Sequence, residues 1–291
     1  MRCGRDSPQQ EARFPALPSR PGRLVLESPA MAWSPLGTQF CLELAFGVLL
    51  GLCLIPKAPV GTFFYRLMVT TALVPLLAAF AVPPMFGGVA WTAPATIAAG
   101  VACLSFPFAS GPVNARRRLM ALGWSTVWTA VALTLVIREA TLVEGPLELT
   151  LGTLSALATG AVAGGVGLAM VLGHWYLTVP QLPISWLQRV NRLTAFAMIA
   201  SALLLALTCF VFREPFAAAR TPLLGPWGLF YLGARVSIGL ALPLVFAWMA
   251  ASSLEYKNTR SATGILYAST VLVLIGTAVS ISLQDSYGVP L

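Results

Sequence analysis

His174 is the one histidine of this 291-residue chain, and it stands in Gly173-His174-Trp175-Tyr176 at the end of a glycine-rich apolar segment. An imidazole can donate one hydrogen bond, accept another and change protonation near neutral pH. Those properties suit binding and protonating a quinone carbonyl, and an ionisable group within a membrane segment is a functional candidate by default. The alternative is structural: an interfacial histidine bonded to a backbone carbonyl and flanked by Trp175 and Tyr176 as aromatics of the membrane–water boundary. One histidine cannot build a two-histidine haem site or a histidine-rich metal site. The cysteines Cys3, Cys41, Cys53, Cys103 and Cys209 show no Cys-x-x-Cys, and all but Cys3 fall in apolar segments. They read as free thiols rather than disulfides, iron–sulfur ligands or a zinc site, so no haem or metal is expected in this chain.

Two more charges interrupt apolar segments, Glu43 and Arg235. If both segments cross in the same direction, a rise of ~1.5 Å per residue puts the two side chains at a similar depth, roughly 10–12 Å from the boundary. An ion pair between them would reduce the cost of each charge in the bilayer, locking one helix to another. The sharper alternative makes Glu43 part of a proton or substrate path. Glu255 and Tyr256 close a later segment at the depth of His174 and could complete a polar pocket with Trp175 and Tyr176. No Ser/His/Asp arrangement, phosphate-binding loop, carboxylate pair or nucleotide fingerprint occurs, and catalysis by this chain alone is not expected.

The elements that position these residues must be membrane helices. The chain is 57% hydrophobic and 10% charged, with a mean hydropathy of +0.81, which leaves no material for an aqueous domain. The net charge of +8 would suggest nucleic acid in a soluble protein; here the basic residues lie mostly in short loops, where membrane topology accounts for them. The expected fold is an all-α polytopic bundle of about eight transmembrane helices, each of about 20 apolar residues. The spans run Leu36 to Ile55, Phe63 to Pro83, Val89 to Ser110, Leu119 to Ile137, Leu149 to Tyr176, Leu193 to Phe212, Trp227 to Ala251 and Ala262 to Leu283. They fill a single domain, 31–291. Residues 1–30 are polar, proline-rich and carry five arginines; they read as a disordered or targeting extension, or as a stretch upstream of a translation start at Met31.

Loops on one side hold Lys57, Arg66, Arg116, Arg117, Arg118, Arg189, Arg192, Lys257 and Arg260 against the single acid Glu255. The other side, from residue 31 onward, holds Arg138, Arg213 and Arg220. This bias predicts a cytoplasmic basic side with both termini outside, and the compact loops fit a prokaryotic inner membrane. Arg116-Arg117-Arg118 serves as a positive anchor. Gly160 and Gly164, at small-xxx-small spacing, predict close helix packing or close approach of a flat ligand. Gln181 to Arg192 could form a short interfacial helix, with Trp186 toward lipid and Arg189 and Arg192 toward headgroups, or an ordinary connector.

The stretch Arg235-Val236-Ser237-Ile238-Gly239-Leu240-Ala241-Leu242-Pro243-Leu244, followed by Ser261-Ala262-Thr263-Gly264-Ile265-Leu266-Tyr267, resembles the polysulfide-reductase membrane-subunit (NrfD-like) family. Members are eight-span, cofactor-free subunits that bind quinone and anchor iron–sulfur and molybdopterin subunits. The resemblance implies an integral membrane, quinone-binding anchor subunit that passes electrons between quinone or quinol and a partner iron–sulfur subunit. A transporter or channel with Glu43 and Arg235 on its path, and a purely structural membrane protein, are the competing expectations.

Overall fold

No water in a bilayer core can satisfy backbone N–H and C=O groups, so an apolar chain closes those bonds within helices. The computed structural model describes residues 29–85, 90–111, 113–140, 145–179, 181–219 and 222–288, and every regular element among them is a helix. The N-terminal extension, apart from its last two residues, lies outside the described residues. The chain is an all-α polytopic bundle.

Helices α1 (Pro29–Cys53) and α2 (Gly61–Met85) are followed by α3 (Pro94–Cys103) and α4 (Phe106–Ser110). Then come α5 (Ala115–Ala140), α6 (Pro146–Thr178), α7 (Ser185–Val211) and the short α8 (Arg213–Ala218). The last stretch holds α9 (Pro226–Val236), a π-helical turn (Ser237–Ala241), α10 (Leu242–Glu255) and α11 (Thr259–Tyr287). Among the described residues, seven helical segments are long and apolar enough to cross a membrane; Pro94–Ser110 is a shorter apolar one.

The expected third span is therefore not a single helix. Pro107 has no N–H to bond the carbonyl of Cys103, and its ring crowds that carbonyl, so α3 ends there and α4 begins afresh. The broken segment nonetheless returns along α2 and α5. Trp91 meets Phe80 of α2 edge-on at 5.2 Å, Ser125 of α5 donates to Ala102 O at 2.9 Å, and Arg118 donates to Gly111 O at 3.3 Å. A helix pair of this kind still carries the chain from one end of the bundle to the other.

The expected interfacial helix before the sixth span is likewise absent as a separate element. Residues from Ser185 are the opening turns of α7, because Leu187, Val190 and Asn191 already face the bundle and nothing breaks the helix. Arg189 lies over the ring of Trp186 at 4.6 Å. At the neighbouring helix start, Arg116 and Arg117 are exposed while Arg118 turns inward, its guanidinium 3.9 Å from the Tyr65 ring centroid. Tyr65 in turn donates to the carbonyls of Ile55 and Ala58, which ties the α1–α2 turn to α5.

At 33 residues α6 is about 50 Å long, and it is the central helix, packed against α1, α5, α7 and α11. Its glycines set the spacing. A Cβ at Gly160 would lie 2.6 Å from the Glu43 carbonyl oxygen, and Gly47 and Gly164 are similarly closed by opposing backbone. The α1 and α6 backbones can approach this closely only because no side chain intervenes.

Candidate functional site

Two places in the bundle carry polar chemistry. The first is the end of α6. Gly173 lies against α11, where a Cβ would sit 2.8 Å from Thr263 Oγ1. That close approach brings His174 beside Tyr267, one turn further along α11, with Nδ1 3.5 Å from the phenol oxygen. Both side chains are exposed at the flank of the bundle.

The residues after His174 turn away from it, as side chains spaced by ~100° on a helix must. Trp175 stacks on Phe63 (5.8 Å between centroids) and meets Phe64 edge-on (5.5 Å), and its indole N–H has no partner among the described residues. Tyr176 is buried and donates to the Pro183 carbonyl at 2.5 Å, fastening α6 to the turn that precedes α7. Glu255 and Tyr256 are exposed at the end of α10. A left-handed Lys257 (φ 57°) and the Asn258 cap of α11, which accepts from the Ser261 N–H at 3.1 Å, separate them from the α11 face that carries Tyr267. The five residues expected to share a pocket are thus distributed, and the polar partner of His174 among the described residues is Tyr267.

The second place is the buried middle of the bundle, toward the end that bears α1's start and α11's finish. Glu43 and Arg235 are 1% and 2% exposed. Gln39, one turn before Glu43 on α1, donates from one Nε2 to Glu43 Oε1 (2.8 Å) and to Gln284 Oε1 of α11 (2.7 Å). Arg235 donates from Nη2 to Thr159 Oγ1 of α6 (2.9 Å) and Ser201 Oγ of α7 (3.0 Å), and from Nη1 to the Gly276 carbonyl of α11 (3.4 Å). The structure brings Glu43 and Arg235 into one polar cluster, close enough to interact electrostatically. Their direct bonds, however, go to other groups. Among the described residues, Glu43 Oε2, Arg235 Nε and Gln284 Nε2 find no hydrogen-bond partner, though all three are buried.

Local sequence explains the placement of Arg235. Pro243 cannot donate to the Gly239 carbonyl, and the helix widens over Ser237–Ala241, where the Leu242 N–H bonds Ser237 O. The widened turn presses Gly239 onto Gly276, where a Cβ on Gly239 would lie 2.8 Å from the Gly276 Cα and 3.2 Å from Arg235 Nη1. The guanidinium fork then reaches acceptors on three helices. Sequence reasoning missed Gln39, Thr159, Ser201, Gln284 and Tyr267 as members of these sites. The Gln39–Glu43 spacing of one turn was the available signal.

Among the described residues, Cys41, Cys53, Cys103 and Cys209 are free thiols, and no three His, Cys, Asp or Glu side chains converge. Compared with known proteins, the chain matches no family model, no curated protein and no solved structure.

Proposed function

We propose that this chain is an integral membrane subunit that binds a quinone headgroup at His174 and Tyr267 and anchors a partner iron–sulfur subunit of a respiratory oxidoreductase. The observation that carries the proposal is the His174–Tyr267 pair itself: two groups able to donate and accept, 3.5 Å apart on adjacent helices and open at the flank of the bundle. A quinone diffuses in lipid and enters such a site sideways, and its carbonyl oxygens accept hydrogen bonds. Reduction to quinol adds two electrons and two protons. A partner's iron–sulfur centre would exchange the electrons, while the imidazole and the phenol supply hydrogen bonds and pass protons. Arg189, exposed over the half-buried Trp186, and the basic loops lie at the same end, which the charge bias assigns to the cytoplasm.

The test is binding of a quinone analogue to the purified full chain in nanodiscs, measured by fluorescence quenching, beside thermal melting. His174→Ala removes binding and leaves melting unchanged, because the side chain is exposed. Tyr267→Phe deletes one hydrogen bond of about 0.5–1.5 kcal/mol and weakens affinity by roughly 2- to 10-fold. Unaltered binding in folded His174→Ala protein refutes the site. Copurifying quinone, identified by solvent extraction, is an independent readout.

A further inference from the structure

We propose that Glu43 is a proton-binding site served by a half-channel that opens at the end of the bundle where α1 begins and α11 finishes. An open groove of about 420 Å³ lies there, walled by Leu36 of α1, Trp227 and Tyr231 of α9, and Ser282, Asp285 and Ser286 of α11. Each of the three walls continues inward to a member of the buried cluster. Gln39 follows Leu36 by three residues, Arg235 follows Tyr231 by four, and Gln284 precedes Tyr287, which also lines the groove, by three. Spacings of three and four stack side chains on one helix face, so the groove floor and the roof of the cluster are successive turns of the same faces. Glu43 lies one further turn down α1, bonded to Gln39 at 2.8 Å.

The cluster is built to let the carboxyl alternate between two forms. Arg235 supplies the positive charge that makes a buried carboxylate tolerable. Its terminal nitrogens are held by Thr159, Ser201 and Gly276 instead of by Glu43. Glu43 Oε2 is thereby left enclosed and, among the described residues, without a partner, an acceptor that takes a proton without breaking a bond. Gln39 holds the other oxygen in place in both forms. Facing Glu43 are Gln39 from α1 itself, Gln284 from α11, Arg235 from α9 and the backbone at Gly160 from α6. The neighbouring α2 and α5 surfaces, Leu76, Ala79, Ala132 and Leu133, are apolar. Arg235 is the one charge facing Glu43 among the described residues. The proton enters from water in the groove, passes the Gln39–Gln284 amides and rests on Oε2, leaving hydroxide to be neutralised by bulk buffer.

Infrared spectroscopy of the full chain in nanodiscs tests this. A carbonyl band of a neutral carboxyl group should respond to pH and vanish in Glu43→Gln. After a pH jump, Leu36→Trp, which plugs the groove without touching the cluster, should slow the response about tenfold, equal to a barrier of ~1.4 kcal/mol. Absence of any pH-responsive neutral-carboxyl band in the native protein overturns the proposal. So does a band unchanged in Glu43→Gln, or a response rate unchanged by Leu36→Trp. Should Glu43→Gln not fold, the native band and the Leu36→Trp rate still decide.

Discussion

Glycine-to-alanine exchange at two positions of the central helix should change stability in opposite directions. At Gly160 the new Cβ falls 2.6 Å from the Glu43 carbonyl oxygen, 3.0 Å from its Cα and 3.1 Å from its carbonyl carbon. All three are backbone atoms, so no rotamer change can relieve the clash. Carbon pairs prefer about 3.5–4.0 Å, so α1 must withdraw from α6 by up to roughly 1 Å along that contact. Overpacking of this kind costs about 1–3 kcal/mol. At Gly167, on the same helix, a Cβ meets nothing within 4 Å. There the exchange only removes glycine's backbone freedom and gains about 0.5–1 kcal/mol. The backbone gain is common to both variants, so they should differ by the overpacking cost alone, about 1–3 kcal/mol, with the native protein between them. Reversible unfolding by steric trapping in bicelles measures both on one scale. If Gly160→Ala is as stable as Gly167→Ala, the α1–α6 backbone contact described above is wrong.

Thr159→Val and Ser201→Ala each remove one acceptor from Arg235, and intramembrane hydrogen bonds average about 0.6 kcal/mol with a maximum near 1.7. Each single loss should fall in that range, and the double variant should exceed the sum, which a double-mutant cycle by steric trapping will show. Trp175→Ala empties the contact with Phe63 and Phe64 and, since Trp175 is half-buried, should cost less than the about 3–5 kcal/mol of a fully buried ring, whereas Trp175→Phe keeps a ring there. Because the indole N–H has no partner, the phenylalanine variant should melt nearer to the native protein than to the alanine variant; the reverse order would mean that the N–H is bonded.

Spans were legible in the sequence because apolar runs of membrane length have few other uses. Glu43 and Arg235 stood out for the converse reason, as charges where charges are costly, and counting residues along two helices placed them at one depth. Counting along a helix fixes depth but not which way a side chain faces across the bundle. This is why Glu255 and Tyr256, level with His174, do not complete its surroundings, while Tyr267 does. Hydroxyls and amides escaped notice because helices tolerate them: a threonine such as Thr194 can satisfy itself on the carbonyl of Val190. Only packing of α6, α7 and α11 against α1 and α9 turns Thr159 and Ser201 into partners of Arg235, and Gln284 into the partner of Gln39. Pro107 did carry a local signal for the break between α3 and α4, which averaging hydropathy over the segment concealed.

The wide turn at Ser237–Ala241 also ties two distant contacts to one residue. A π turn accommodates one residue more than the α-helix around it. Excising that residue would rewind the span into a regular helix, and everything beyond it would rotate by ~100° relative to Arg235. The Ala247 carbonyl would then swing away from the Asn191 amide that now binds it at 2.8 Å. The surroundings of Arg235 and the bond of Asn191 therefore both depend on the one extra residue of this turn, although the two side chains stand on different helices.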